Sequence, residues 1–167
     1  MSGREYFQDH MPGDICFGCG SANSEGLKIR SFWEAGEAVC LWQPHKHHQG
    51  WEGLTCGGII ATLIDCHCMA TAMATAVHNE NRPLGSEPHY RFATASLNIR
   101  YLSPTPIDQP LMLRAHVTAI KDGRKYTIAC DLYAHDVKTV EATVVGVLVY
   151  RSDRSEQSPV WAKGQLS

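Results

Sequence analysis

Residues 57–77 of this 167-residue chain, GGIIATLIDCHCMATAMATAV, are apolar or small and polar throughout except for one carboxylate, Asp65; apart from thiols, His67 is the only other ionisable side chain there. A helix that is hydrophobic on every side is buried by other structure rather than laid on a surface. A carboxylate carried inward costs several kcal/mol unless it is partnered, or else its pKa rises until it is neutral. A desolvated acid in a cleft is the kind of group that serves as general base or nucleophile, so Asp65 is the first candidate for chemistry. The stretch is long enough to cross a membrane, but Asp65, His67 and the threonines at 62, 71 and 75 argue against a span. The expectation is a core helix around which the rest of the chain is built.

Bulk properties narrow the function. With 44% hydrophobic and 19% charged residues, the chain fits one globular domain over 1–167. The formal charge is −2 and the 15 Lys and Arg are scattered, which argues against nucleic acid or an anionic membrane as partner. The opening residues MSGREYFQDHMPGD carry no apolar h-region, so the expected address is the cytoplasm. Seven cysteines are an odd number, read as reduced thiols rather than a disulfide frame. Cys16 and Cys19 form a lone CxxC that would need further ligands, conceivably from Cys40, His45, His47 or His48. No second CxxC exists, so no metal and no cofactor are expected, and the histidine cluster at 45–48 reads as a solvated loop.

Along the chain, residues 1–26 are rich in Gly, Pro, Ser and Asn and read as an arm that covers something rather than forming core. Residues 27–34 and 38–43 read as two strands joined at Ala35–Gly36–Glu37. A polar loop, 44–55, leads to Gly57–Gly58, which opens the helix; it ends near His78, and 79–91 is a long connection containing Pro and Gly. Residues 94–103, 111–121, 125–135 and 139–150 are β-rich runs separated by turn residues, the last three an antiparallel meander. The expected order is β-β-α-β-β-β-β in an α+β fold, followed by a polar tail over 151–167 in which Trp161 is a candidate anchor.

That order resembles the hotdog fold, an antiparallel β-sheet wrapped around one long central helix. The hotdog acyl-CoA thioesterases of the phenylacetate-degradation and 4-hydroxybenzoyl-CoA type carry HGG-x6-D at the start of that helix. Here Cys56–Gly57–Gly58 and Asp65 keep the spacing, with Cys in place of His. TASLNIRYLSP, 94–104, is similar to the family's T/S-x-x-[LM]-N-I-x-Y-x-x-P strand, and CFGCG-x2-N-x2-GL, 16–27, to the opening of many members. The resemblance spans roughly residues 16–150. It departs at Gly50, where the family often has Asn, and at Cys56, and both departures remove polar groups near the thioester.

Thioester hydrolysis needs charge stabilisation at the carbonyl oxygen and an activated water or a carboxylate nucleophile. Backbone N–H groups at Gly57 and Gly58 stand at a helix start, where orphan donors and the helix dipole favour an oxyanion. Gly57 and Asp65 are about 12 Å apart along one helix axis at ~1.5 Å per residue, too far to reach one carbonyl. Two chains pairing with antiparallel central helices would bring Gly57 of one to Asp65 of the other, giving two equal sites at a homodimer interface. The alternative assembly is a tetramer of two such dimers. The resemblance implies that Thr94 holds the attacking water beside Asp65. Gly50, Cys56 and Arg91 are the candidate substrate-binding residues, and the 79–91 connection, with Arg82, His89 and Tyr90, is placed to border the acyl or pantetheine channel. The expected function is hydrolysis of an acyl-CoA or acyl-carrier thioester. The alternative is a non-catalytic hotdog protein that binds acyl-CoA as a sensor or assembly subunit; a hotdog dehydratase would need an Asp/His or His/Glu pair that the sequence does not offer.

Overall fold

The computed structural model describes residues 3–11 and 14–154. Trp161 and most of the 151–167 tail therefore lie outside the described residues. The elements are β1 (Ser31–Glu34), β2 (Glu37–Trp42), α1 (Gly57–Asn79), β3 (Tyr90–Tyr101), β4 (Leu111–Lys121), β5 (Lys125–Ala134) and β6 (Val137–Arg151), with single 3-10 turns at Phe7–His10 and Lys46–His48. The strands form one six-stranded sheet in the order β1-β2-β4-β5-β6-β3, every neighbouring pair antiparallel. This is the expected hotdog arrangement. The hairpins β4-β5-β6 make the meander, while α1 separates β2 from β3 and sends β3 to the opposite edge.

Alternation explains the packing. Tyr126, Ile128, Cys130, Leu132 and Ala134 are buried while the residues between them are not, so β5 turns one face to α1. Leu111 and Leu113 of β4 and Val140 and Val144 of β6 extend that face, and Leu63, Ile64, Cys68, Ala72 and Ala74 of α1 meet it fully buried. By composition α1 is long and apolar enough to span a membrane, but most of it is covered inside this protein. Its end is set by Asn81 in the left-handed region (φ 53°), with Arg82 N–H reaching the Val77 carbonyl and Asn81 N–H that of His78.

A buried polar chain ties the layers together. Gln8 Nε2 donates to Ser31 Oγ at 3.4 Å, and Ser31 N–H donates to Gln8 Oε1 at 2.7 Å. Ser31 Oγ meets His67 Nδ1 at 2.8 Å, and His67 Nε2 meets the Ala38 carbonyl at 3.2 Å. The carbonyl can only accept, so Nε2 carries the proton and Nδ1 accepts from the hydroxyl. Burial pushes the His67 pKa down to about 4.

Three expectations need correction. The arm does contribute core, since Phe7 is fully buried and Cys19 nearly so. The strand expected over 27–34 begins only at Ser31, because Lys28 takes a left-handed φ of 55° and the N–H groups of Leu27 and Ile29 bond the carbonyls of Phe17 and Gly18 in the arm. The histidine loop is not wholly solvated: His48 is buried against Trp42, ring centroids 4.8 Å apart, where it accepts the His45 N–H at 2.9 Å.

Candidate active site

Asp65 sits mid-helix on α1, and the sheet covers only one side of that helix. The carboxylate is half-buried on the open side, in the same stripe as Gly58, Thr62 and Met69, rather than sealed in the core as an all-round apolar helix would demand. Thr94 of β3 donates its hydroxyl to Asp65 Oδ1. Desolvation raises the Asp65 pKa and Thr94 pulls it down; the net direction is up. His67, two residues on, is turned into the core and does not partner the acid.

Local backbone features place the pair. Thr94 lies opposite Gly146, and a register shift between Thr94 and Ser96 adds a bulge that alters the direction of β3 at this point. A Cβ at Gly146 would stand 2.8 Å from Met69 Cε, so a glycine there lets β6 pass close under α1 one turn beyond Asp65.

Asp65 and Thr94 border a cavity of about 410 Å³. Met69, Met73, Val77 and Phe92 make an apolar lining, the arm contributes His10, Met11, Asp14, Cys16 and Cys19, and the connection contributes Gly85, Ser86, Pro88 and His89; Tyr90 and Arg91, expected in that connection, are instead the first residues of β3 and also line the cavity. Arg82 is not among the lining residues. It braces the connection from within, bonding Glu80 at 2.6 Å, Ser86 O at 3.0 Å and Pro88 O at 3.3 Å. Arg91 lies over the Tyr150 ring, 5.7 Å from its centroid.

The other candidates gather at the helix start and not in this cavity. Gly57 and Gly58 are exposed, and the first intrahelical bond is Ile60 N–H to Cys56 O at 3.1 Å, so the N–H groups of Gly57, Gly58 and Ile59 precede the helical ladder. Cys56, the N-cap, makes no side-chain capping bond. A Cβ on Gly50 would touch Cys56 Cα at 3.3 Å, so these two positions adjoin one another. Sequence reasoning passed over Tyr101, whose hydroxyl donates to the Gly57 carbonyl at 2.8 Å and whose ring lies 3.6 Å from where a Gly57 Cβ would be. The signal was the Tyr in the β3 motif. Within one chain the two groups of residues stay apart: Asp65, Thr94 and Arg91 at the cavity, Gly50, Cys56, Gly57 and Gly58 at the helix start.

The fold and the sequence have counterparts among known proteins. The family model of the thioesterase superfamily matches residues 52–141, which include both groups of candidates apart from Gly50. The chain belongs to the thioesterase superfamily. Among curated relatives, an acyl-coenzyme A thioesterase THEM4 from Xenopus laevis is 34% identical over 113 residues, covering 66% of this chain and 45% of the relative. A human acyl-coenzyme A thioesterase THEM5 is 27% identical over 143 residues, 84% of this chain and 52% of the relative. The chain thus spans about half the length of the curated relatives it matches. Among solved structures, a thioesterase superfamily protein from Shewanella loihica PV-4 superposes with a TM-score of 0.59 at 32% identity, covering 75% of this chain and 95% of that one. A Streptococcus mutans protein bound to acetyl CoA shares the hotdog fold, with a TM-score of 0.59 at 14% identity over 74% of this chain and 90% of that one.

Proposed function

We propose that this protein hydrolyses an acyl-CoA thioester at a site built from two copies of the chain. The observation that carries the proposal is the Asp65 carboxylate, half-buried and engaged by Thr94 at the border of a largely apolar cavity. Thr94 takes one carboxylate oxygen, and the other is available to deprotonate a water or to attack the thioester carbonyl itself. The raised pKa makes Asp65 a stronger base than an ordinary carboxylate.

The carbonyl oxygen needs donors, and the Asp65 chain cannot supply them from Gly57 and Gly58, about 12 Å away along the same helix. A second copy with its helix antiparallel supplies them. Its uncapped N–H groups face developing negative charge with a helix dipole behind them. Thiolate leaves as the tetrahedral intermediate collapses, and the freed proton returns to it. The chemistry of the relatives named acyl-coenzyme A thioesterases supports CoA as the carrier. The apolar lining suits a hydrophobic acyl group.

Free-thiol release across a panel of acyl-CoA substrates tests the reading. The wild-type protein turns over at least one member, and Asp65→Asn, with its fold intact by circular dichroism, is slower by about a hundredfold or more. Saturable acyl-CoA binding without thiol release would instead make the protein a binder, the reading favoured by the nonpolar Gly50 and Cys56 at the helix start.

A further inference from the structure

Three thiols that hydrolysis does not use meet where the arm crosses α1. The sulfurs of Cys16, Cys19 and Cys66 all lie within 4.8 Å of one another, and those of Cys16 and Cys66 are 3.7 Å apart. A tetrahedral zinc centre with Zn–S bonds of ~2.3 Å sets its sulfurs about 3.8 Å apart. The Cys16–Cys66 pair already has that spacing. A fourth donor stands alongside: Asp14 Oδ2 is 3.8 Å from Cys19 Sγ, while its Oδ1 accepts the Cys16 N–H at 3.0 Å.

The loop is shaped to bring these atoms together. Gly20 N–H closes the turn on the Cys16 carbonyl at 2.9 Å. A Cβ at Gly18 would lie 2.3 Å from Cys66 Sγ, and one at Gly20 would lie 2.4 Å from the Cys16 nitrogen. The loop can therefore close over Cys66 only with glycine at both positions. Hydrogen bonding alone gives little reason for such convergence, since thiols are weak donors and weak acceptors. Among the described residues this is the one cluster of three or more potential ligands with such spacing.

We propose that Cys16, Cys19 and Cys66 bind a zinc ion, and that the neighbouring Asp14 carboxylate, which stands outside the group of mutually close sulfurs, swings in to take the fourth position. Three sulfur donors select a thiophilic divalent cation, and four protein ligands close the shell, which makes the site structural. Binding displaces the three thiol protons to solvent, and the ion stays divalent throughout. Cys66 follows Asp65 directly, and Cys16 and Cys19 line the same cavity, so the ion clamps the arm onto α1 beside the candidate acid. The lone CxxC of the sequence thus finds its partner one helix away, not in Cys40 or the histidine loop.

The test is a metal titration of the whole chain, reduced and stripped with a chelator. Cobalt(II) is followed by thiolate-to-cobalt charge-transfer absorption, and zinc by metal analysis and displacement of cobalt. The expected result is saturation at one ion per chain, a higher Tm with zinc, and loss of the charge-transfer band in Cys16→Ser, Cys19→Ser and Cys66→Ser. Cys40→Ala, at a buried thiol outside the cluster, keeps the band. Reduced, folded wild-type protein that takes up neither ion overturns the proposal, even if a cysteine variant fails to fold. So does a band that survives Cys66→Ser, or a Cys16–Cys66 disulfide in protein that binds no metal after reduction. None of these readouts depends on thioester hydrolysis, so the clamp and the proposed activity stand or fall separately.

Discussion

Two opposed effects set the behaviour of Asp65: burial pushes its pKa up and the Thr94 hydroxyl pulls it down by bonding the charged form. The consequence has a definite sign. Thr94→Val removes the downward pull, so more of Asp65 is protonated at any given acidic pH and the acid limb of thiol release moves to higher pH. Loss of a hydrogen bond to a charged group also lowers turnover near neutrality roughly tenfold or more. A pH profile of both proteins checks this, and a limb that stays put or moves down contradicts the assignment. Asp65 was legible in the sequence because it interrupts an apolar run. That it is only half-buried was not, because a helix pattern does not say how much of the helix the sheet will cover. The meeting of Cys16, Cys19 and Cys66 was equally hidden, since 50 residues separate Cys16 from Cys66 and only the folded arm joins them.

At the scale of elements, the chain Gln8–Ser31–His67–Ala38 joins the arm, β1, α1 and β2 through groups that stay neutral when folded. His67 regains a pKa near 6.5 when the chain unfolds and is held to about 4 when folded. Below 6.5 the unfolded state therefore binds a proton that the folded state refuses. This contribution to stability is intact above that pH and falls by about 3 kcal/mol as pH drops to 4. Denaturant unfolding of wild type and His67→Gln across this window should show a shallower pH slope in the variant. The 79–91 connection is braced by Arg82, so Arg82→Met should loosen the cavity wall and change the ranking of acyl chain lengths, with Tm lowered by only a few degrees. An unchanged substrate profile would make the connection a passive link. The order of elements was readable from alternation, turn residues and the apolar run. The boundary before β1 was not, because Lys28 turns left-handed to meet the arm, a tertiary demand that no local pattern carries.

At the scale of the whole molecule, β3 is an edge strand with no further partner among the described residues, and it carries exposed Leu97 and Tyr101, with Leu102 just beyond, while Trp51 near the helix start is 83% exposed. An open strand edge with apolar side chains is a surface that a second chain can cover. The same pairing would carry the uncapped start of one helix toward the acid of the other. A two-chain site makes the smallest active species a homodimer, and complementation tests that claim most directly. Asp65→Asn removes the acid, while Gly58→Pro removes one donor at a first-turn position where proline is tolerated and no neighbour beyond Cys56 Sγ, at 3.8 Å, meets the new carbon. Each variant alone should be nearly inactive. Unfolded together and refolded as a mixture, half the dimers are mixed and each has one intact site, so thiol release should recover to about a quarter of wild type. A mixture with proven subunit exchange that recovers no activity would contradict the shared site.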